Sequence, residues 1–167
     1  MSGVDFFISK PIFQSVVQDV LLKATRRRQS AATLPVQKED FAGRRILLVE
    51  DNEINMEIAR TLLEFRNASV DGACNGQQAV EMFRSSPQNH YDAVLMDVRM
   101  PVMDGIAATQ AIRGLDRADA ATVPILAMTA NAFAEDIERS RKAGMNEHLA
   151  KPIEPETLYA RLASYFR

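Results

Sequence analysis

The sequence predicts an α/β domain built on a parallel sheet with helices on both faces. From Arg44 onward, short apolar runs alternate with segments in which apolar residues recur every three or four positions. Alternating strands and helices of this size are typical of parallel sheets, because a crossover helix returns the chain to the same end of the sheet. Several apolar runs also end in an acid, a hydroxyl or a lysine, which places polar groups at one edge of that sheet.

Five strands and five helices account for this alternation. The strands are short apolar runs bounded by turn residues, and they are expected near 45–49, 68–73, 91–96, 125–128 and 147–150. The helices are expected near 53–66, 76–85, 105–113, 133–143 and 154–166. Glycines at 76, 114 and 144 mark turns or helix ends.

Two of the helices carry apolar stripes that we expect to face the sheet. The stripes are Ile54, Ile58, Leu62 and Phe65 in the first helix, and Leu158, Leu162 and Tyr165 in the last. Asn52 and Asp104 precede the first and third helices, where short polar side chains commonly cap the first turn.

Composition excludes several classes of protein. The chain has 167 residues and a net charge of −2, which gives no electrostatic argument for nucleic-acid binding. Cys74 is the only cysteine, so no internal disulfide is expected and a reducing compartment is the default. No apolar run approaches the roughly 20 residues that cross a bilayer, and no secretory signal is evident. A cytoplasmic location without direct membrane contact is therefore expected.

The first residues repeat a later segment. Residues 3–12 align without gaps to residues 144–153, and the shared residues include Lys10 with Lys151 and Pro11 with Pro152. Both copies run into an amphipathic segment. We therefore interpret residues 1–28 as the last strand and helix of a preceding domain of the same kind, 29–43 as a linker and 44–167 as the main domain. The leader helix 11–28 is expected to pack on this domain or on a second copy, which would give a homodimer.

Residues at the strand ends form a candidate site. Glu50 and Asp51 follow the first strand, Asp97 ends the third, Thr129 follows the fourth and Lys151 follows the fifth. Three carboxylates close together repel, so a divalent cation would stabilise them, and this set suits phosphoryl chemistry. For any one residue a structural role stays open: Glu50 and Asp51 could cap the first helix, and Asp97 could form an ion pair with Lys151.

The ordered motifs resemble a known family. Residues 44–167 are similar to the receiver domain of two-component response regulators, on the strength of four motifs: Leu48-Val49-Glu50-Asp51-Asn52, Met96 to Gly105, Met128-Thr129-Ala130 and Lys151-Pro152. The resemblance implies a flavodoxin-like (βα)5 three-layer sandwich with the parallel strand order 2-1-3-4-5. It also implies a self-phosphorylating phosphoacceptor with Mg²⁺ as cofactor.

Each site residue has a role that the resemblance implies. Asp97 is the phosphoacceptor, Lys151 pairs with a phosphoryl oxygen, and Thr129 donates its hydroxyl after phosphorylation. Mg²⁺ is bound by Asp51, Asp97 and the backbone carbonyl of Arg99, with Glu50 acting mainly through a metal-bound water. The backbone N–H groups of Val98 and Ala130 are further donors, and Pro152 matches the family's cis-proline. His148 replaces the family's usual Tyr or Phe, which leaves open whether it acts as a switch with Thr129 or is an ordinary strand residue.

The resemblance also implies partners and a context. A histidine kinase domain or a histidine phosphotransfer protein would supply the phosphoryl group, and the repeat before residue 44 favours the C-terminal receiver of a hybrid sensor histidine kinase. One alternative is a Mg²⁺-dependent phosphohydrolase with an aspartyl nucleophile, although Arg99 stands where such enzymes place a second acid. Another is a pseudo-receiver that binds partners without chemistry.

Overall fold

A computed structural model describes residues 39–130 and 134–166. The predicted remnant at 1–28, with its leader helix 11–28, and most of the predicted linker 29–43 lie outside these residues. Within them the chain forms five strands and six helices, in the order β1 Arg45–Val49, α1 Glu53–Glu64, β2 Ser69–Ala73, α2 Gly76–Ser85, β3 Ala93–Asp97, α3 Gly105–Arg113, α4 Ala118–Thr122, β4 Ile125–Thr129, α5 Ala134–Ala143, β5 Glu147–Ala150 and α6 Pro155–Tyr165.

The five strands form one parallel sheet in the order β2-β1-β3-β4-β5. This confirms the predicted flavodoxin-like architecture. β1, β3 and β4 lie in the middle and are almost entirely buried, whereas the edge strands β2 and β5 are partly exposed. Strands covered on both faces need apolar residues at every position, which is why their sequences show no alternation.

Two apolar cores lie on opposite faces of the sheet. On one face, strand residues such as Leu47, Val94 and Ile125 pack against α2 and α3. On the other, Ile46, Leu95 and Leu126 and their neighbours pack against α1 and α6. Successive residues of a strand therefore point into opposite cores. The polar residues that follow the central strands come together at the carboxyl edge of the sheet.

The predicted face of α1 is half right, because Leu62 is buried and Ile58 packs against the same core. Ile54 and Phe65 are 48% and 58% exposed, and the residues that α1 buries are Ala59, Leu62 and Leu63. The buried face is turned by about a quarter of a helical turn from the predicted stripe. Small Ala59 lets the helix approach the sheet closely, and a count of large apolar residues overlooks it. In α6, the predicted Leu158 and Leu162 are buried and Tyr165 packs against the same core.

Two further features were not predicted. The short helix α4 follows the loop after α3, where the sequence offers no apolar periodicity long enough to indicate a helix. Phe41 lies at the described end of the predicted linker, yet its ring is buried against Tyr159 and Phe166. Its N–H donates to the Arg66 carbonyl at 2.7 Å, so the packed domain includes this residue. Within the described ranges, no helix has both the length and the apolar character needed to cross a membrane.

Candidate functional site

Three acids meet at the carboxyl edge of the sheet. Val49 pairs with Met96 across β1 and β3, so Glu50 and Asp97 follow neighbouring positions. Glu50 is 2% and Asp97 5% exposed, whereas Asp51 faces solvent. One carboxylate oxygen from each of the three lies within 4.8 Å of the others. The fold therefore brings the three predicted acidic metal ligands together.

Lys151 extends across this edge from the end of β5. Its Nζ lies 2.7 Å from Asp97 Oδ2 and 2.6 Å from Glu50 Oε2. Its backbone N–H donates to the Thr129 carbonyl at 2.8 Å, and its peptide bond to Pro152 is cis. Burial alone would lower the pKa of Lys151, but hydrogen bonds and charges from Asp97 and Glu50 outweigh it and raise the pKa. The ammonium thus stays charged between the two buried carboxylates.

The backbone after β3 corrects one predicted donor. The N–H of Val98 donates to the Met128 carbonyl at 3.1 Å, because pairing between β3 and β4 continues past the end of the strand. It does not face the Asp97 carboxylate. The N–H of Arg99 does, donating to Asp97 Oδ1 at 3.1 Å. Ala130, the other predicted donor, is exposed and directly follows Thr129.

Helix α3 begins against the same backbone. Asp104 caps it as predicted, accepting a hydrogen bond from the Ala107 N–H at 2.8 Å. A Cβ added to Gly105 would collide with the Asp97 carbonyl oxygen and lie 2.9 Å from Met96 Cγ. Only glycine leaves room for this close approach, so Gly105 lets the chain return past Asp97 without displacing it.

Thr129 and His148 lie on the same face of the sheet. Thr129 is buried at the end of β4, and His148 pairs with Ala127, two residues earlier on that strand. Residues two apart on a strand share a face. Burial, followed by the charge of Arg141, lowers the pKa of His148, and Glu147 opposes this. Among the described residues, His148 Nε2 is a buried nitrogen that has no hydrogen-bond partner.

The acid cluster is chemically suited to a hard divalent cation. Mg²⁺ prefers oxygen ligands and uses few carboxylates, because it keeps several of its waters. Oxygens at opposite corners of its octahedron lie about 4.2 Å apart, from metal–oxygen bonds of about 2.1 Å. The three carboxylate oxygens lie within 4.8 Å of one another, so a small inward adjustment would bring them to the spacing of Mg²⁺ ligands. Asn52 caps α1 through its Oδ1, as predicted, so the capping function does not require Glu50 or Asp51.

Comparison with known proteins identifies the family. Residues 46–163 match the family model of the response regulator receiver domain. The chain therefore belongs to that family, and it is a receiver domain of the two-component phosphorelay type. Its membership agrees with the sheet order and with the acids at the carboxyl edge.

Curated relatives include histidine kinases. The chain is 34% identical over 163 residues to the signal transduction histidine-protein kinase BarA of Escherichia coli, covering 98% of this chain and 17% of that protein. It is 31% identical over 155 residues to hybrid signal transduction histidine kinase I of Dictyostelium discoideum, covering 92% of this chain and 9% of that protein. The chain thus spans less than a fifth of the length of these relatives.

Solved structures support the fold. The receiver domain of the sensor histidine kinase PA1611 from Pseudomonas aeruginosa is 41% identical, with a TM-score of 0.67 over 74% of this chain and 98% of that one, and it was solved with a magnesium ion in its active site cleft. The yeast receiver domain of Ssk1, solved with the histidine phosphotransfer protein Ypd1, is 31% identical, with a TM-score of 0.65 over 73% of this chain and 88% of that one.

Proposed function

We propose that this receiver domain accepts a phosphoryl group from a phosphohistidine onto Asp97, with Mg²⁺ as its cofactor. The observation that supports this most strongly is the environment of the Asp97 carboxylate. It ends a central strand, one oxygen accepts from the Arg99 N–H and the other contacts the Lys151 ammonium. Such donors hold the nucleophile in a fixed orientation at the sheet edge where ligands of this fold bind.

The proposed step balances without further reagents. An Asp97 carboxylate oxygen attacks phosphorus, a P–O bond forms and the P–N bond to histidine breaks. The imidazole nitrogen leaves with the electron pair and takes up one proton from water, and the hydroxide that remains is neutralised by the buffered solvent. Lys151 then compensates the negative charge that the phosphoryl oxygens bring to this edge.

Asp51, Asp97 and the backbone carbonyl of Arg99 would hold Mg²⁺, and Glu50 would act mainly through a bound water. The ion supplies positive charge that offsets carboxylate repulsion and neutralises phosphoryl oxygens. The magnesium in the PA1611 receiver domain supports this assignment, as does the spacing of the three acids.

We assign the response to phosphorylation to Thr129, Ala130 and His148. The Thr129 hydroxyl and the Ala130 N–H donate to the phosphoryl group. His148, on the same face of the sheet, moves with Thr129 and carries the change towards α5.

The proposed partners are a histidine kinase domain and a histidine phosphotransfer protein. The curated relatives BarA and hybrid kinase I support the first, and the Ypd1–Ssk1 complex supports the second. We place the domain in a hybrid sensor histidine kinase and in the cytoplasm, where its exposed single thiol, Cys74, stays reduced.

Residues 1–28 are proposed to be the remnant of a preceding receiver-like domain. The amphipathic pattern of residues 11–28 supports a homodimer that forms through this segment. Light scattering of the full chain should then give the mass of a dimer, and a monomer at all concentrations would exclude this mode of association.

Acetyl phosphate tests the proposed function without a partner protein. The full chain incubated with Mg²⁺ should gain one phosphoryl group by intact mass, and hydroxylamine should remove it because the bond is an acyl phosphate. Asp97→Asn should gain none, whereas Asp116→Asn, at an exposed loop position, should behave like the wild type. Rapid release of phosphate without a lasting adduct would favour the phosphohydrolase instead, and neither adduct nor turnover would favour the pseudo-receiver.

A further inference from the structure

We propose that Asn55 is a positioning residue that fixes the buried Glu50 carboxylate for metal binding. The inference rests on the proposed function, in which Glu50 contacts Mg²⁺ through water. Asn55 was not among the predicted site residues. It lies in the first turn of α1, and its side-chain Nδ2 donates to Glu50 Oε1 at 3.2 Å.

The two oxygens of Glu50 have different environments. Oε1 accepts from the Asn52 N–H at 3.3 Å as well as from Asn55, whereas Oε2 contacts the Lys151 ammonium at 2.6 Å. A carboxylate oxygen has two lone pairs. Oε1 is therefore fully used by its two donors, whereas Oε2, with one contact, keeps a lone pair that a metal-bound water could use.

The start of α1 explains how Asn55 reaches Glu50. Asn52 is the N-cap, and its Oδ1 accepts from the N–H groups of Ile54 and Asn55 at 3.0 and 3.1 Å. In a capping box, the side chain of the third helical residue accepts from the N–H of the N-cap. Here Glu50 accepts that N–H, and Asn55, at the third helical position, donates to Glu50. Glu50 is thus hydrogen-bonded to two residues of the N-terminal cap of α1.

Orientation matters because a glutamate carboxylate is otherwise free to turn. Its terminal torsion is broad, and Glu50 has one more methylene than an aspartate. Without Asn55, one of the two donors on Oε1 is lost, and the carboxylate can turn away from the orientation in which Oε2 contacts the Lys151 ammonium. Removing a group that orients a direct metal ligand commonly costs about 10–100-fold in metal affinity, and because Glu50 would act through a water, the lower end of that range applies here.

Calorimetric titration of the metal-free full chain with MgCl₂ tests this. Asn55→Ala should weaken Mg²⁺ binding by about 10-fold. Asn55→Gln keeps an amide donor and should fall between Asn55→Ala and the wild type. Gln77→Ala removes an exposed amide from α2 and should leave the affinity unchanged. In EDTA, Asn55→Ala should stay folded but unfold at a somewhat lower urea concentration than the wild type, because the lost hydrogen bond to a buried carboxylate outweighs the gain in helix propensity.

The outcomes separate this inference from the proposed function. Equal Mg²⁺ affinity of wild type and Asn55→Ala would overturn the role of Asn55 and leave the proposed function standing. If Asn55→Ala binds Mg²⁺ more weakly than the wild type and Asn55→Gln binds it no better than Asn55→Ala, the role of Asn55 is also overturned, since the amide donor would then be irrelevant. A wild-type chain that binds no Mg²⁺ would overturn both.

Discussion

The contacts of Lys151 show that Asp97 can take part in an ion pair and also belong to a reactive site. The sequence allowed either a structural ion pair or a reactive site, and the structure contains the ion pair, with Lys151 contacting both Asp97 and Glu50. A charged lysine stabilises two buried carboxylates in the absence of a phosphoryl group. The same ammonium is already in place for the charge that phosphorylation of Asp97 adds.

His148 provides a prediction about pH. Because its folded-state pKa lies below the ordinary value of 6.5, the unfolded chain binds a proton more readily than the folded one. The contribution of neutral His148 to stability is therefore fully present above about pH 6.5 and is lost as the pH falls through the lowered folded-state pKa. Urea unfolding between pH 7 and 5 should show a smaller loss of stability in His148→Phe than in the wild type.

His148→Gln separates titration from polarity in that experiment. Glutamine is polar but does not titrate, so it should reduce the acid-induced loss as phenylalanine does. If both variants lose stability on acidification as steeply as the wild type, the half-buried His148 does not contribute to the pH dependence.

At the scale of elements, the strand ends were predictable and the helix faces less so. All five strands, and hence the convergence of Glu50, Asp97, Thr129 and Lys151, followed from apolar runs with polar ends. The buried face of α1 could not be predicted in this way, because Ala59 rather than Ile54 lies against the sheet. The hydrogen-bond partner of the Val98 N–H could not be predicted either, because it depends on how far the pairing of β3 and β4 extends. Such features depend on neighbours that a single sequence does not specify.

The junction between β3 and α3 should not tolerate a side chain at Gly105. Gly105→Ala would force its Cβ against the Asp97 carbonyl and Met96, and overpacking of this kind costs about 1–3 kcal/mol of unfolding free energy. Because the clash displaces the Asp97 backbone, phosphorylation by acetyl phosphate should also slow. Both effects are measurable, by urea unfolding and by intact mass over time.

Gly114→Ala is the matched control at the other end of α3. Its Cβ would lie 3.3 Å from the nearest atom, and its φ of −83° suits alanine. It should be the milder change and leave phosphorylation untouched. Equal effects of the two substitutions would contradict the role assigned to the Gly105 contact.

Arg117 links the C-terminal end of α2 to α4 through hydrogen bonds. Its guanidinium contacts both oxygens of buried Asp119 at 2.7 Å and stacks over the Phe83 ring. It also donates to the carbonyls of Phe83, Arg84, Ser86 and Pro87. Arg117→Ala leaves a buried carboxylate without its cation, so we expect a loss of about 3 kcal/mol in urea unfolding.

Arg84→Ala is the control for that substitution. Arg84 pairs with Glu81 on the exposed surface of α2, where such pairs contribute little, and the expected change is within about 0.5 kcal/mol. A similarly small change for Arg117→Ala would show that the network around Asp119 does not stabilise the fold.

At the scale of the whole molecule, the site lies where the strand order reverses. β1 is flanked by β2 and β3. The helix that follows β1 and the helix that follows β3 therefore lie on opposite faces of the sheet. Parallel sheets bind ligands at the carboxyl edge beside this point. The sequence indicated the class of site because its residues recur at strand ends in a fixed order. It did not indicate Asn55, since a polar residue in the first turn of a helix has no distinctive pattern.

Phosphorylation of Asp97 is the central claim, and locating the phosphoryl group by mass spectrometry tests it most directly. Phosphoramidate is a suitable donor because its P–N bond resembles that of phosphohistidine. After reaction with Mg²⁺, borohydride reduction and digestion, the account predicts one modified residue, Asp97, and no modification when EDTA replaces Mg²⁺. Modification at another acid, or an unmodified chain under conditions in which it binds Mg²⁺, would contradict it.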